Sequence, residues 1–183
     1  MVARMLAERG AIVIDADDLA RRAVEPGTHG YAEVIRRFGP GSLKLDGDLD
    51  REWLARRVFA DPEARLELEA IVHPEVGRLF AAEMEKYRDT DAVVVFAVPL
   101  LVESAMQGMF DLVVTVEAPE DVRVARLVAD RGMTEEAARD RIRAQASDHE
   151  RRKAADEIVR NEGTLEELQA EVERLWSRLR EQA

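Results

Sequence analysis

Four short apolar runs along the chain have the pattern of buried parallel β-strands. They occupy residues 11–15, 92–98, 111–116 and 156–160. The run at 92–98 contains Val, Phe and Ala without polar alternation, which is typical of a strand that helices cover on both faces. The run at 156–160 is too short for periodicity alone to identify it. Together these runs predict four strands of a parallel sheet.

The segments between these strands carry signals for helix ends. Pro62 follows Asp61, Pro119 precedes Glu120, and Thr134 precedes two glutamates, and each of these patterns is typical of a helix start. The last helix begins with a Thr164-x-x-Glu167 capping box. Its apolar positions repeat with a period of about 3.6 residues, at Leu165, Leu168, Val172, Leu175, Trp176 and Leu179.

The alternation of strands and helices predicts an α/β fold with a parallel sheet. A long helical stretch, residues 31–86, lies between the first two strands and predicts an inserted helical subdomain. At about 150 residues per domain, a chain of 183 residues fits a single domain over residues 1–183.

Composition and charge exclude several classes of protein. Lys and Arg number 27 against 38 Asp and Glu, a formal charge of −11, which disfavours a nucleic-acid interface. There are no cysteines, so disulfides, thiolate zinc sites and a cysteine nucleophile are excluded, and a reducing, cytoplasmic location is expected. The longest apolar stretch, residues 92–102, contains Pro99 and is too short to span a bilayer. We therefore expect no membrane partner.

Acidic residues follow the first predicted strand, where ligands bind in open α/β sheets. Asp15, Asp17 and Asp18 occupy this place. Two carboxylates there could accept a proton from a hydroxyl nucleophile or hold a magnesium ion. The alternative is that Asp17 or Asp18 only caps the helix through residues 19–24.

Two further residues are candidates whose role, functional or structural, the sequence spacing cannot decide. Glu103 follows the second apolar strand, where it could contact a substrate or cap the segment that contains Ala105 and Met106. His73 precedes Pro74 within the helical insertion, and a lone histidine at a helix junction is more often a cap or a packed ring than a ligand.

Residues 126–153 are basic in an otherwise acidic chain. Eight basic side chains stand against six acids there: Arg126, Arg131, Arg139, Arg141, Arg143, Arg151, Arg152 and Lys153. A helical hairpin that bears several arginines could close over a polyphosphate. The alternative is a solvated helix face with ion pairs such as Glu135–Arg139.

A set of short motifs, in this order along the chain, resembles the dephospho-coenzyme A kinase family. The motifs are IDAD (14–17) with Arg21, VEPG (24–27), IVHP (71–74), VPLLVE (98–103), QA (145–146), AD (155–156) and NEG (161–163). The resemblance implies a P-loop kinase-like parallel sheet with a helical substrate-binding insertion and a lid. It also implies transfer of the ATP γ-phosphate, with Mg²⁺, to the ribose 3′-hydroxyl of dephospho-CoA, the last step of coenzyme A synthesis.

The resemblance also implies roles for individual residues. Asp17 matches the family's acid that accepts the 3′-hydroxyl proton. Asp15, Arg21, His73 and Glu103 match positions on the side of the acceptor substrate. Arg131, Arg141 and Gln145 fall in the lid, and Asn161 to Gly163 fall in the loop near adenine. The resemblance assigns no metal ligand.

The sequence departs from the family in one respect. The family begins with a strand and a phosphate-binding loop, GxxxxGK followed by Ser or Thr, whereas residues 1–10 look like the helix that follows that loop. We therefore expect an N-terminally short chain with the central first strand missing and little kinase activity. An inactive fragment or CoA-ligand binding protein, and a different nucleoside kinase, remain alternatives. Strand edges left unpaired also predict aggregation or self-association.

Overall fold

A computed structural model describes residues 1–104 and 106–182 of the chain. Its strands are β1 (Ile12–Asp15), β2 (Val94–Ala97), β3 (Val114–Glu117) and β4 (Glu157–Arg160). Its helices are α1 (Val2–Glu8), α2 (Ala16–Arg22), α3 (His29–Phe38), α4 (Arg51–Ala60), α5 (Pro62–Glu85), α6 (Glu120–Arg131), α7 (Glu135–Arg143), α8 (Asp148–Ala154) and α9 (Leu165–Gln182). The predicted α/β fold with four short strands is confirmed.

The strands pair in parallel, as predicted. β1 pairs with β2, with Ile12 opposite Val94, and β3 pairs with β4, with Val114 opposite Glu157. The described strands thus form two two-stranded sheets. All four residues of β2 are only half-buried, which is less burial than the apolar run at 92–98 indicated. A strand with one hydrogen-bonded neighbour lacks the lateral packing that buries a central strand, and in β3 Val116 is 45% exposed.

The chain divides into two compact units. One comprises Met1–Ala11 and Val98–Ala183, and the other comprises Ile12–Ala97. The predicted helical insertion lies inside the second unit, as helices α3, α4 and α5. A single domain over residues 1–183 stays a prediction.

The second unit is built around α5, which packs against α2, α3 and α4. The Asp61 side chain caps α5 by accepting the backbone N–H groups of Glu63 and Ala64. Phe80 of α5 stacks against Phe96 of β2, with ring centroids 4.3 Å apart. The buried apolar cluster of this unit comprises Ala23, Val24, Val34, Leu49 and Leu54.

The first unit places α9 against β4 and α1. The capping box forms as predicted: the Thr164 N–H donates to Glu167 Oε2 and the Glu167 N–H donates to Thr164 Oγ1. Leu168, Val172 and Leu175 are buried, whereas Leu165 at the first helical position is 50% exposed. In the described residues no helix is long and apolar enough to cross a membrane.

Candidate active site

The acidic turn after β1 is held by Asp15. Its Oδ1 accepts the backbone N–H groups of Asp17 at 2.8 Å and Asp18 at 3.3 Å, so Asp15 is the N-cap of α2. The alternative that Asp17 or Asp18 caps this helix is therefore wrong. The capping residue stands two or three positions earlier than these candidates, because α2 follows β1 without a loop.

Asp17 is left available for chemistry by this arrangement. Its side chain is exposed, and among the described residues its carboxylate has no hydrogen-bond or ion-pair partner. Arg21 lies one helical turn further on, also exposed and outside the ion pairs of the described chain. Residues four apart share a helix face, so α2 presents a free carboxylate and a free guanidinium on one side.

The same turn carries oxygen ligands of the kind that a metal ion needs. No group of three or more His, Asp or Glu side chains in residues 1–104 and 106–182 is placed to hold a metal ion. Asp17 and Asp18 do present exposed carboxylates, the hard oxygen donors that Mg²⁺ prefers. The carboxylate oxygens of Asp17 and Asp18 therefore fit magnesium. One carboxylate oxygen of Asp15 already accepts two backbone N–H groups.

His73 lies in the middle of α5, immediately before the internal Pro74. The expectation of a cap or a packed ring is wrong, because the helix continues past Pro74 and the His73 side chain is exposed. The histidine with a partner is instead His29, whose Nδ1 lies 3.0 Å from Glu75 Oε1. The Arg78 guanidinium, and with it His29, holds the pKa of Glu75 below its usual range.

Most of the arginines in residues 126–153 are engaged. Arg139 of α7 pairs with Glu120 and Asp121 of α6 and with Glu135 of its own helix, which confirms the expected Glu135–Arg139 pair. These contacts raise the Arg139 pKa, the Glu135 hydrogen bond most of all. Other partners are Asp140 for Arg143, Asp148 for Arg151, Glu117 for Arg152, and the Asn161 carbonyl for Arg126.

Two lid arginines stand apart from these pairs. Arg131 and Arg141 are exposed and make no hydrogen bond or ion pair through their side chains in the described part of the chain. They are the two that the family resemblance assigned to phosphate contact. A guanidinium without a protein partner keeps all five donors for a ligand.

The remaining sequence-predicted residues lie on loops and helix ends of the first unit. Gln145 follows α7 and its side chain is exposed. The Asn161 N–H donates to the Glu117 carbonyl at 2.7 Å, which holds the loop after β4 against the end of β3. At Gly163 a Cβ atom would lie 1.7 Å from Glu167 Oε2, so the capping carboxylate occupies the space that a side chain would need.

Glu103 has a partner that sequence reasoning missed. Its Oε1 accepts the backbone N–H of Ala146 at 2.7 Å, a contact between residues 43 positions apart. No local sequence signal marks such a bond. The alternative in which Glu103 caps the segment of Ala105 depends on a residue outside the described ones.

Comparison with known proteins gives consistent matches over nearly the whole chain. A family model described as dephospho-CoA kinase matches residues 1–167. A curated dephospho-CoA kinase from Thermobifida fusca is 47% identical over 178 residues, 97% of this chain and 88% of that protein. Another from Leifsonia xyli subsp. xyli is 49% identical over 181 residues, 98% of this chain and 91% of that protein.

Two solved structures are similar to this fold. A crystal structure of a Thermus thermophilus protein matches with a TM-score of 0.80 at 36% identity, over 97% of this chain and 90% of that one. A dephospho-CoA kinase from Campylobacter jejuni matches with a TM-score of 0.75 at 22% identity, over 99% of this chain and 92% of that one. The predicted P-loop kinase-like fold is thereby confirmed.

Proposed function

Because the chain belongs to the dephospho-CoA kinase family, we propose that it transfers the γ-phosphate of ATP to the ribose 3′-hydroxyl of dephospho-CoA, the last step of coenzyme A synthesis. The observation that carries this proposal is the Asp17 carboxylate. It is exposed and free of protein partners, at the start of a helix whose backbone Asp15 caps.

Asp17 supplies the general base of the proposed reaction. Its carboxylate takes the proton of the 3′-hydroxyl while that oxygen forms a bond to the γ-phosphorus. The bond from the γ-phosphorus to the β,γ-bridging oxygen breaks, and ADP leaves with the electron pair. General-base catalysis of this kind contributes about 10²–10⁴-fold to a rate, so Asp17 should dominate the effect of mutations at this site.

The acceptor side of the proposed site uses residues of α2 and α5. Arg21 shares a face with Asp17 and can pair with an acceptor phosphate, because its guanidinium has no carboxylate partner in the described chain. His73 presents an exposed ring in the middle of α5. Asp15 supports the site by fixing the first turn of α2.

The nucleotide side uses the lid and the loop after β4. Arg131 and Arg141 would bind ATP phosphate oxygens, and Gln145 and residues 161–163 would lie near the nucleotide. Asp18 would be the residue to hold Mg²⁺, which in phosphoryl transfer neutralises charge that develops on the phosphate oxygens, and Asp17 then stays free to accept the proton. Phosphoryl transfer depends mainly on positioning and charge stabilisation.

The printed residues contain no GxxxxGK sequence followed by Ser or Thr. That loop holds the β- and γ-phosphates with its backbone and its lysine. We therefore propose that a polypeptide of these 183 residues alone transfers phosphate slowly. A CoA-ligand binding protein without catalysis is the second candidate, since the same acceptor residues would bind the ligand.

The proposal is tested by incubating the chain with ATP, Mg²⁺ and dephospho-CoA and identifying coenzyme A by mass spectrometry. Asp17→Asn should lower the rate by about 10²-fold or more, whereas Asp89→Asn, at an exposed aspartate whose side chain has no partner in the described chain, should leave the rate unchanged. An equal loss in both variants would contradict the role of Asp17. Binding of dephospho-CoA without turnover, measured by calorimetry, would favour the binding protein, and turnover of nucleosides alone would favour another kinase.

The two-stranded sheets also support a proposal about assembly. The half-buried β2 and the exposed Val116 of β3 leave apolar strand surface accessible, so self-association of the chain is expected. Analytical ultracentrifugation over a concentration series measures it, and a monomer at all concentrations would contradict it. The absence of cysteine is compatible with the cytoplasmic location that we propose.

A further inference from the structure

The connection between α7 and α8 is held at a single residue by two charged side chains. The Ala146 N–H donates to Glu103 Oε1 at 2.7 Å, and the Ala146 carbonyl accepts from Arg151 Nη1 at 2.6 Å. Hydrogen bonds in which one partner is ionised are shorter and stronger than neutral ones. Both backbone polar groups of Ala146 are therefore fixed by ions rather than by regular helix bonds.

The arginine on one side of Ala146 is itself anchored. Arg151 pairs with Asp148 at the start of α8, and Asp148 also accepts from Arg123 of α6 at 2.8 Å. The Arg123 and Arg151 side chains are only 21% and 19% exposed. One turn along α8, Arg152 pairs with Glu117 at the end of β3, also at 2.8 Å. These ion pairs therefore hold helix α8 against α6 and β3.

The carboxylate on the other side of Ala146 comes from a constrained turn. Leu100 has φ = 62°, a left-handed conformation that is uncommon for residues other than glycine and that persists only where the surroundings fix it. Ser104 Oγ donates to the Leu100 carbonyl at 2.8 Å, which closes the turn. Glu103 therefore reaches Ala146 from a turn that its own hydrogen bonds hold in place.

We propose that Glu103 is a positioning residue of the lid. Its carboxylate fixes residues 144–147, the short connection that follows α7, and so restrains the end of α7 on which Arg141 presents its guanidinium. This role differs from the acceptor contact that the family resemblance implies for Glu103. The restraint on Ala146 does not depend on the proposed function, because it exists without any substrate. Only the identity of the ligand that Arg141 binds rests on the proposed function.

The restraint is measurable by amide hydrogen exchange at Ala146, followed by NMR on the ligand-free chain. Glu103→Ala removes the acceptor and should speed exchange of this amide by about tenfold or more, the change expected for losing a hydrogen bond to a charged group. Glu103→Gln keeps an acceptor oxygen and should restore most of the protection. Glu136→Ala, an exposed glutamate of α7 without a side-chain partner in the described chain, should change nothing at Ala146.

Two results would overturn the proposal. Unchanged exchange at Ala146 in Glu103→Ala would show that the carboxylate does not hold the connection. Faster exchange that extends equally to the buried positions of α9, Leu168, Val172 and Leu175, would show a general loss of stability instead of a local restraint.

A second measurement separates this role from a substrate contact. The dissociation constant of dephospho-CoA, measured by calorimetry, should stay within about twofold in Glu103→Ala, because the carboxylate is directed to Ala146. Weaker binding together with unchanged exchange at Ala146 would identify Glu103 as an acceptor contact and overturn the proposal. A wild-type chain that does not bind dephospho-CoA would count against the proposed function but would leave the exchange result intact.

Discussion

The helices of the second unit and the arginine-rich segment are stabilised in different ways. The second unit contains a cluster of five buried apolar residues between α2 and α5, whereas Ala138 is the one buried residue in positions 126–153. That segment is braced by ion pairs, with Arg139 alone contacting three carboxylates. Buried apolar packing therefore contributes more to the second unit than to the arginine-rich segment, whose contacts are mainly ion pairs.

This difference shows how to separate structural charges from functional ones. In the second unit, Arg22 pairs with Glu83, while Asp17 and Arg21 on the same helix have no partner in the described chain. In the lid, Arg139 and Arg143 are paired, while Arg141 between them is not. Asp17, Arg21, Arg131 and Arg141, which the family resemblance assigns to ligands, are thus unpaired in the described chain, whereas Asp15 and Glu103, which it also assigns, accept backbone N–H groups.

The largest expected effect is the difference in stability lost when a buried apolar side chain or an ion-paired arginine is removed. Leu54→Ala removes a buried side chain from the core of the second unit and should lower the free energy of unfolding by about 2–5 kcal/mol. Arg139→Met removes the partner of three partly exposed carboxylates and should cost less than about 1 kcal/mol. Urea denaturation of both variants measures the difference. Equal losses would mean that the lid depends on its ion pairs as strongly as the second unit depends on packing.

The next largest effect is a change in the KM for ATP, which distinguishes the unpaired arginines from the paired ones. Arg131→Lys and Arg141→Lys should each raise the KM for ATP about tenfold, because lysine is a point charge and cannot make a bidentate phosphate contact. Arg143→Lys is the matched control, since Arg143 is paired with Asp140 on the same helix, and its KM should be unchanged. Unchanged kinetics in both Arg131→Lys and Arg141→Lys would remove the lid assignment.

A smaller effect is the difference in the free energy of unfolding between variants of Asp15 and Asp17. Asp15→Ala removes the N-cap of α2 and should lower the free energy of unfolding by about 1 kcal/mol. Asp17→Ala removes an exposed side chain that bonds nothing in the described chain, and stability should change by less than about 0.5 kcal/mol. Thermal unfolding followed by circular dichroism tests both, and the reverse order would show that Asp17 has a structural role.

The smallest effect is the dependence of stability on pH. Hydrogen bonds from Lys86 and then Arg22 lower the pKa of Glu83 from 4.5, and in the lid the Ser147 side chain lowers the pKa of Glu150 from the same value. A lowered pKa contributes stability that is present above the normal carboxyl pKa and is lost as the pH falls through the folded-state value. The melting temperature should therefore be insensitive to these groups between pH 5 and 8 and fall below about pH 4.5. Glu83→Gln should show a smaller decrease at low pH, and an identical pH profile would contradict this contribution.

Much of the fold follows from local sequence signals, and much of the site does not. The Thr164–Glu167 capping box and the strands on both sides of the helical insertion could be predicted, because each depends on residues close together in the sequence. The capping role of Asp15 could not, since four aspartate and alanine positions in a row allow more than one helix start. The Glu103–Ala146 bond joins distant positions, and the choice of paired arginines depends on how α6, α7 and α8 pack. The apolar run at 92–98 indicated more burial than β2 has, because β2 has one hydrogen-bonded neighbour in the described chain.

The parallel register of the sheets also has a consequence for the order of folding. Ile12 and Val94 are ladder partners 82 positions apart, whereas Val114 and Glu157 are 43 positions apart. Closing a long loop costs entropy before any strand contact repays it. The β1–β2 ladder should therefore form after α2, α3, α4 and α5 have assembled and brought the two strands together. Substitutions between these helices should slow refolding, whereas substitutions in the ladder should mainly accelerate unfolding.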